Sequence, residues 1–499
     1  MAHGAPHLIE HIGETVPSYG SVEPSERTQE QRESRALLVS ARVVCSASSF
    51  SEGFIDGFLS VADLFIKSAL NLTDFEYDSL DGIFFFFFCV GGLFAGYLAD
   101  SRGRLFAMSA SLLCFIFGML LVSVATIYLE FFVGLALAGV GVGVGLAANT
   151  MYFTEIVPKD IRGQFVALEE VSILLGLSFG YAAGWFFYCL QYEWSWSEGW
   201  NFPCWRALGL VGIIAPVVVL ILLNMGFILE SPRYLLMVGR EDEGKELLIR
   251  LVGREEASLA LADWSNEEES SATWWQLVWD RTPSQRRALH LSLSILSIQS
   301  LVGNPVLMVY LASILIETLD SIQLTLIVCG CVSLCRTVAA ASAASVVDSL
   351  GRRLVFCTSL CVVFLGWTLL AVAYAAGFDA YIKVALYVVI SVAYDCGVGP
   401  IGFPYSGEIL STPFRSKGLS CGMAAKGLSA WILVEGFSYI VDDIGLSVGC
   451  AMIAVLSLFA LIWSYGALPE TAGVELEQIS LLFDDAKISC VTEKKGGEI

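Results

Sequence analysis

Long runs of apolar residues alternate with short charged turns along most of this chain. Six runs lie in the first half, and six more follow a polar insert. The runs are residues 43–70, 80–99, 106–125, 128–150, 165–189 and 207–229, then 288–317, 321–346, 354–377, 380–405, 417–440 and 445–468. Each is long enough for a helix of about 20 residues to cross a bilayer. The pattern therefore predicts twelve membrane spans, numbered here in chain order.

Short charged motifs recur at a nearly constant offset, always where an apolar run ends. Three pairs share this offset: Asp100–Arg104 with Asp348–Arg352, Glu155–Arg162 with Glu408–Arg415, and Glu230–Arg233 with Pro469–Thr471. Repeated halves are typical of membrane proteins built by duplication. The sequence thus predicts an all-α membrane protein with twelve transmembrane helices in two pseudo-symmetric six-helix bundles.

The same pattern predicts the organisation of the chain. We expect residues 1–42 to form an N-terminal tail and residues 469–499 a C-terminal tail. The two bundles should occupy residues 43–229 and 288–468, joined by a helical linker over 230–287.

Composition excludes an ordinary soluble protein. Hydrophobic residues make up 56% of the chain and charged residues only 15%, with a mean hydropathy of +0.70, whereas soluble domains carry about 25% charged residues. The net charge of −21 comes mainly from polar segments outside the spans, so it says little about a substrate. The four histidines and the absence of a nucleophile motif argue against an enzyme. We expect no cofactor, metal or nucleic-acid partner.

The basic residues of the loops collect on one side of the predicted spans. This side should be cytoplasmic by the positive-inside rule, and both chain ends would lie there too. The plasma membrane and an endosomal or vacuolar membrane are both compatible with the sequence. The basic residues on this side are Arg102, Arg104, Lys159, Arg162, Arg233, Arg240, Lys245, Arg250, Arg254, Arg352, Arg353, Arg415 and Lys417.

Span 1 carries three carboxylates on one helical stripe, at Glu52, Asp56 and Asp63. A charge at mid-bilayer costs about 2.5–3.5 kcal/mol on insertion scales, so each one needs a partner, water or a function. Glu52 and Asp63 could be solvated near an interface. Asp56 lies deeper and is the better candidate for a proton or cation site.

Span 5 carries Glu170 and span 11 carries Lys426, which together predict an acidic first half facing a basic second half. Glu170 could bind solute or protons, or pair structurally with Lys426 or Arg336. Lys426 could attract an anionic solute or act as a switching counter-ion. We expect Arg336 and Asp395 to pair structurally. Our hypothesis is that a proton on Asp56 or Glu170 releases Lys426.

Glycine and proline interrupt spans 7 and 10, at Gly303 and Pro305 in the first and over residues 397–404 in the second. Discontinuous helices are where transporters expose backbone to solute. Gln299 and Asn304 beside one break, and Phe403 beside the other, suit a polyhydroxylated solute, because amides bond hydroxyl groups and a ring covers an apolar face. Tertiary packing could also explain the aromatic ring.

These motifs resemble the major facilitator superfamily, and most closely its sugar porter branch. Asp100-x-x-Gly103-Arg104 and its repeat resemble the signature turns after spans 2 and 8. The resemblance implies alternating access, with carboxylates and guanidinium groups pairing across the seam between the bundles to gate it. The expected gating residues are Asp100, Arg104, Glu155, Arg162, Asp348, Arg352, Glu408 and Arg415, with Glu230 and Glu470 nearby.

Other residues depart from the sugar porter pattern. Glu169-Glu170 replaces the expected Asn-Gln pair of span 5, and Cys421–Lys426 resembles span 11 of the organic-ion and synaptic-vesicle-protein branch. The leading interpretation is a proton-coupled transporter of a sugar or polyol, for which a single chain should suffice. An organic-ion transporter is the alternative. A solute sensor that does not transport is a third interpretation.

Overall fold

The computed structural model describes residues 24–157, 162–192, 203–254, 257, 258, 261, 283–410 and 414–470. Over these ranges the regular secondary structure is helical, and twelve spans are present as predicted. Spans 1 to 6 are Pro24–Leu70, Asp74–Arg102, Arg104–Val124, Tyr128–Ile156, Arg162–Tyr192, and the pair Cys204–Gly212 with Ile214–Asn224. Span 7 comprises Pro283–Leu301, Asn304–Val309 and Leu311–Leu319; spans 8 to 12 are Ile322–Leu350, Arg352–Ala375, Ala380–Asp395 with Val398–Ile409, Arg415–Asp443, and Leu446–Ala467.

The helix of span 1 begins earlier than the hydrophobic pattern predicts, at Pro24 rather than near residue 43. The added residues are rich in glutamate, glutamine and arginine, which favour helices although they are polar. Hydropathy detects the membrane segment and not the helix that leads into it. Between the halves, Pro232–Met237 and Glu241–Val252 form two short helices, within the predicted linker.

Ten of the helical stretches in the described ranges are long and apolar enough to cross a membrane by length and composition. Spans 1 and 11 are not among the ten. Span 1 contains Glu52, Asp56 and Asp63, and span 11 contains Lys426 and Glu435. Both spans outside the ten therefore carry ionisable residues of the candidate site, Asp56 in span 1 and Lys426 in span 11.

The two bundles meet mainly along spans 2 and 11 and along spans 5 and 8. Small residues allow the first of these contacts. A Cβ at Gly92 would lie 2.9 Å from the Ala424 nitrogen, and one at Gly427 would lie 2.7 Å from the Cys89 nitrogen. Backbones this close leave no room for a side chain, so glycine sets the distance between the halves.

Glycine also packs span 4 inside the first bundle. A Cβ at Gly139 would lie 2.5 Å from the Phe84 carbonyl oxygen, and one at Gly143 would lie 2.2 Å from that of Phe88. On the other side, a Cβ at Gly141 would approach the Ser111 carbonyl oxygen to 2.7 Å. Small residues at helical spacing here permit close packing against spans 2 and 3.

The predicted interruptions of spans 7 and 10 are confirmed. Span 7 breaks at Gly303, whose φ of +100° lies in the left-handed region that favours glycine. The indole nitrogen of Trp367 donates to the Val302 carbonyl oxygen at 3.0 Å and so satisfies backbone freed by the break. Span 10 stops at Asp395 and resumes at Val398. The break in span 7 lies within protein, since Val302 and Gly303 are buried, and protein is where non-helical backbone is tolerated at membrane depth.

Candidate solute and ion site

Asp56 and Glu170 of the first half lie buried without a bonding partner among the described residues. Asp56 is 4% exposed and Glu170 is 3% exposed. Within the described ranges, neither carboxylate accepts a hydrogen bond or lies in an ion pair. Glu170 reaches the break in span 10, because a Cβ at Gly399 would lie 3.1 Å from its Oε1. Both predicted proton sites are therefore inside the protein, not in lipid.

Lys426 supplies positive charge from the second half. Its Nζ lies 4.3 Å from the centre of the Phe403 ring, a cation–π contact, and the ring is fully buried. The ammonium acts electrostatically on Asp56 and on Glu170. No direct ion pair joins Lys426 to Glu170 in the parts of the chain that the structure describes. The described residues therefore do not show the alternative interpretation, a structural ion pair between Lys426 and Glu170.

Arg336 and Asp395 form the structural pair that the sequence predicts. Arg336 Nε lies 2.6 Å from Asp395 Oδ2, and both side chains are buried. A second nitrogen of the guanidinium donates to Asn304 Oδ1 at 2.6 Å. Asn304, expected to bind solute, is engaged by protein in this conformation. A solute could use its amide only after displacing a charged donor.

Gln299 connects the two broken helices. Its Nε2 donates to the carbonyl oxygens of Val398 and Gly399, at 3.1 and 2.7 Å. In return, the Tyr394 hydroxyl donates to the Gln299 carbonyl oxygen at 3.2 Å. Gln299 Oε1 is buried and accepts no hydrogen bond from the described residues. The amide nitrogen therefore links the two broken helices, while the buried amide oxygen has no hydrogen-bond donor among the described residues.

At one end of the bundles, a set of charged residues that we call the N-terminal cluster comprises Arg104, Glu155 and Glu230. Arg104 donates twice to Glu155, at 2.9 and 2.6 Å. Glu230 accepts from the backbone nitrogens of Arg104 and Leu105 at 3.0 and 3.2 Å. Ser231 donates its hydroxyl proton to Glu155. The bonds tie the turn after span 2 to spans 4 and 6.

The second half repeats this arrangement in the C-terminal cluster, formed by Arg352, Glu408 and Glu470. Arg352 donates to Glu408. Glu470 accepts from the backbone nitrogens of Arg352 and Arg353, at 2.9 and 3.1 Å. The duplication seen in the sequence is thus a duplication of bonding geometry.

The bonds given above for each cluster join residues of one half. Pairing of these residues across the seam, as the sequence hypothesis has it, stays a prediction. The link between the halves at this end runs from Asp100 to Lys417 and Ser416, at 3.1 and 2.9 Å. Arg415 donates to the Leu410 carbonyl oxygen at 3.4 Å. The side chains of two predicted gating residues, Arg162 and Asp348, lie outside the described residues.

The opposite end of the bundles is also joined. The Tyr181 hydroxyl of span 5 lies 2.9 Å from Ser60 Oγ and 3.2 Å from the Met308 carbonyl oxygen of span 7. Asp63 of span 1 accepts from Ser313 of span 7. With both ends in contact, the central groups are enclosed between the bundles.

Sequence reasoning assigned no tyrosine to either cluster; Tyr405 was expected beside the solute, with Phe403. The Tyr152 hydroxyl donates to the Leu229 carbonyl oxygen at 2.7 Å, and Tyr405 donates to that of Pro469 at 2.9 Å. Each tyrosine precedes its cluster's glutamate by three residues, at Glu155 and Glu408. This repeated spacing was a signal in the sequence that could have identified both.

The sequence matches a known protein family and its members over most of its length. The sequence model of the sugar (and other) transporter family matches residues 43–483. A curated relative, "Probable polyol transporter 4" of Arabidopsis thaliana, is 27% identical, with 95% of this chain and 91% of that protein covered. The family match spans both halves and the linker between them.

Solved structures show the same fold. The proton:xylose symporter XylE of the major facilitator superfamily, bound to 6-bromo-6-deoxy-D-glucose, superposes with a TM-score of 0.77 at 20% identity, covering 90% of this chain and 99% of that one. A partially occluded, inward-open form of the xylose transporter XylE from E. coli gives 0.73 at 19% identity, with 88% and 99% covered. The resemblance to the major facilitator fold is confirmed.

Proposed function

The chain belongs to the sugar (and other) transporter family, and on that premise we propose that it moves a sugar or polyol across a membrane by alternating access, coupled to protons. The relative named as a polyol transporter and the proton:xylose symporter with the same fold support this solute class and this coupling. The observation that carries the proposal is the enclosed site itself. Asp56 and Glu170 are buried opposite Lys426 with no bonding partner among the described residues.

Coupling would follow from the charges at this site. When Asp56 and Glu170 are ionised, both attract Lys426 in surroundings where the dielectric constant is low. A proton on either carboxylate removes one of these attractions and lets the lysine move with the second bundle. Proton binding and the relative position of the halves would then be linked.

The solute would lie between the two broken helices. Gln299 Oε1 accepts no hydrogen bond from the described residues and could accept one from a solute hydroxyl, as could Glu170. The Phe403 ring, with Lys426 over its face, would lie on the other side of the solute. Asn304 would join once Arg336 is displaced from it. A polyhydroxylated solute satisfies these acceptors with its own donors, which a hydrocarbon could not do.

Gating would depend on the charged end. We place this end in the cytoplasm together with both chain ends, in keeping with its basic loops. The N-terminal and C-terminal clusters would hold each half rigid as it rocks, and the contact of Asp100 with Lys417 would form and break. Neither the plasma membrane nor an endosomal or vacuolar membrane is favoured by these features.

Uptake of labelled hexose into proteoliposomes at two pH values tests the proposal. We expect inositol to compete and acid on the solute side to accelerate uptake. Asp56→Asn should abolish the pH dependence. Asp320→Asn is the matched control, because Asp320 is exposed and has a φ of +52°, which asparagine also adopts.

The outcomes separate the three interpretations. Competition by carboxylates or amines but not by inositol would replace the sugar assignment with an organic-ion transporter. Hexose binding without flux would point to a sensor. If Asp56→Asn kept the full pH dependence, Asp56 would have no part in coupling.

A further inference from the structure

A small polar cavity lies inside the first bundle, between spans 1, 3 and 4. It has a volume of about 20 Å³, which holds a single guest the size of a water molecule. Four serine hydroxyls, one carboxylate and one amide line it, together with apolar side chains and glycine. The polar lining residues are Ser48, Ser49, Ser51, Glu52, Ser111 and Asn149.

Two oxygen atoms of this lining lack a donor. Glu52 Oε2 and Asn149 Oδ1 are both buried, and neither accepts a hydrogen bond from the described part of the chain. A buried acceptor left unsatisfied costs about 1–3 kcal/mol. Two of them around one cavity indicate that the cavity is built for a guest that pairs with oxygen lone pairs.

The neighbouring hydroxyl protons do not supply that pairing. Ser51 donates to the Ala47 carbonyl oxygen at 3.2 Å, and Ser111 donates to that of Met108 at 2.8 Å. With their protons directed along their own helices, these hydroxyls have lone pairs left to offer. Asn149 directs its donor nitrogen to Ser49 Oγ at 3.5 Å. Lone pairs on Glu52, Asn149, Ser51 and Ser111 are therefore available to a guest.

The charge of the surrounding spans favours a cation. Carboxylates at 52, 56, 169 and 170 lie close enough to Lys426 for its charge to act on each of them. Arg336, the other nearby cation, is bonded to Asp395. When these four carboxylates are ionised, their charge exceeds that of Lys426, and uncompensated charge is costly at this depth in the bilayer.

We propose that this cavity binds one monovalent cation of the Na⁺ class, held by Glu52, Asn149 and the serine hydroxyls. Oxygen ligands suit hard cations. One carboxylate among neutral oxygens balances a single positive charge, whereas divalent ions are commonly held by several carboxylates. A divalent ion would need such a cluster, and the described residues contain no group of three or more histidine, cysteine, aspartate or glutamate side chains that could hold one. This site is separate from the proposed proton site at Asp56.

Binding of ²²Na⁺ to the purified full-length chain tests the site. We expect saturable binding of about one ion per chain at alkaline pH, and none in Glu52→Gln. Asn149→Ala should raise the Na⁺ concentration needed for half-saturation about tenfold, since it removes one ligand oxygen. Asp320→Asn is the control, because Asp320 is exposed in the turn between spans 7 and 8 and should leave binding unchanged.

A second measurement guards against misfolded variants. Sodium chloride should raise the unfolding temperature of the wild type above that in equimolar choline chloride, because a ligand specific for the folded state stabilises it. Asn149→Ala should show a smaller rise. Absent saturable ²²Na⁺ binding, or binding that survives Glu52→Gln, would overturn the proposal. Neither measurement uses solute uptake. A failure of the cation-site proposal is therefore distinguishable from a failure of the proposed transport function.

Discussion

The N-terminal and C-terminal clusters at the charged end repeat one design with different degrees of burial. Each has an arginine that bonds the glutamate of a neighbouring span and a second glutamate that accepts from the backbone at the turn. In the first half, Arg104 is 2% exposed; in the second half, Arg352 is 13% exposed. Glu230 is half-buried, whereas Glu470 is exposed.

This difference shows that duplicated motifs need not contribute equally. Removing a partner from a buried ion pair leaves a charge that water cannot reach, and the cost is higher than at a surface. The N-terminal cluster also gains a hydroxyl donor, Ser231, and a ring, Tyr234, whose centre lies 5.5 Å from Arg104 Cζ. We infer that it is the more rigid of the two, and three matched pairs of substitutions test that inference.

The largest difference is expected for the arginines. Arg104→Ala should destabilise the protein by about 3–5 kcal/mol, because it strands the buried carboxylate of Glu155. Arg352→Ala should cost about 1.5–3 kcal/mol, as expected for lost hydrogen bonds to a charged group. Thermal unfolding in detergent, monitored by tryptophan fluorescence, measures both. Equal losses would contradict the inferred ranking.

The turn glycines come next. Gly103 and Gly351 both have positive φ, of +102° and +89°. An added Cβ would lie 2.4 Å from Glu230 Oε2 in the first and 2.8 Å from Glu470 Oε2 in the second. We expect each alanine substitution to cost about 1–3 kcal/mol through backbone strain, with Gly103→Ala the worse. The same unfolding assay decides, and a larger effect of Gly351→Ala would count against the ranking.

The tyrosines should show a smaller and more nearly equal effect. Tyr152→Phe and Tyr405→Phe each remove one hydroxyl that bonds a carbonyl oxygen, at a cost of about 0.5–1.5 kcal/mol. The ring remains, so packing is preserved and the change isolates the hydrogen bond. Unfolding temperatures of the two variants are compared directly. A loss in one variant alone would show that one of the two bonds is not formed.

The smallest stability effect is expected at the contact between halves. Asp100→Asn and Lys417→Gln remove a partly exposed ion pair, at a cost of about 0.2–1 kcal/mol. Asp100→Asn also removes the 3.5 Å contact of Asp100 with Arg104, so its cost should be the larger of the two. Their effect on conformation should be clearer, because the charged end would open more often. Labelling of a cysteine placed nearby by a water-soluble reagent measures opening. A double-mutant cycle should give non-additive rates, and strict additivity would rule out the coupling.

Much of the fold follows from local features of the sequence. Spans are read from hydropathy, because a bilayer demands long apolar helices whatever the partner helix is. The breaks at Gly303 and at residues 396–397 follow from glycine and proline chemistry. The motif pairs around Arg104 and Arg352 identified both clusters from their repeat alone, although not the direction of their bonds.

Only the tertiary structure decided how the buried polar groups are used. The sequence predicts the same role for Asn304 and Gln299. In the structure, Asn304 Oδ1 accepts a hydrogen bond from Arg336, whereas Gln299 Oε1 accepts none from the described residues. The cavity beside Glu52 was not foreseen, since its other polar walls include Ser111 and Asn149 from separate spans. Helical periodicity tells which side chains share a face. Which neighbour that face meets depends on packing between distant segments, and that is settled by the assembled bundle.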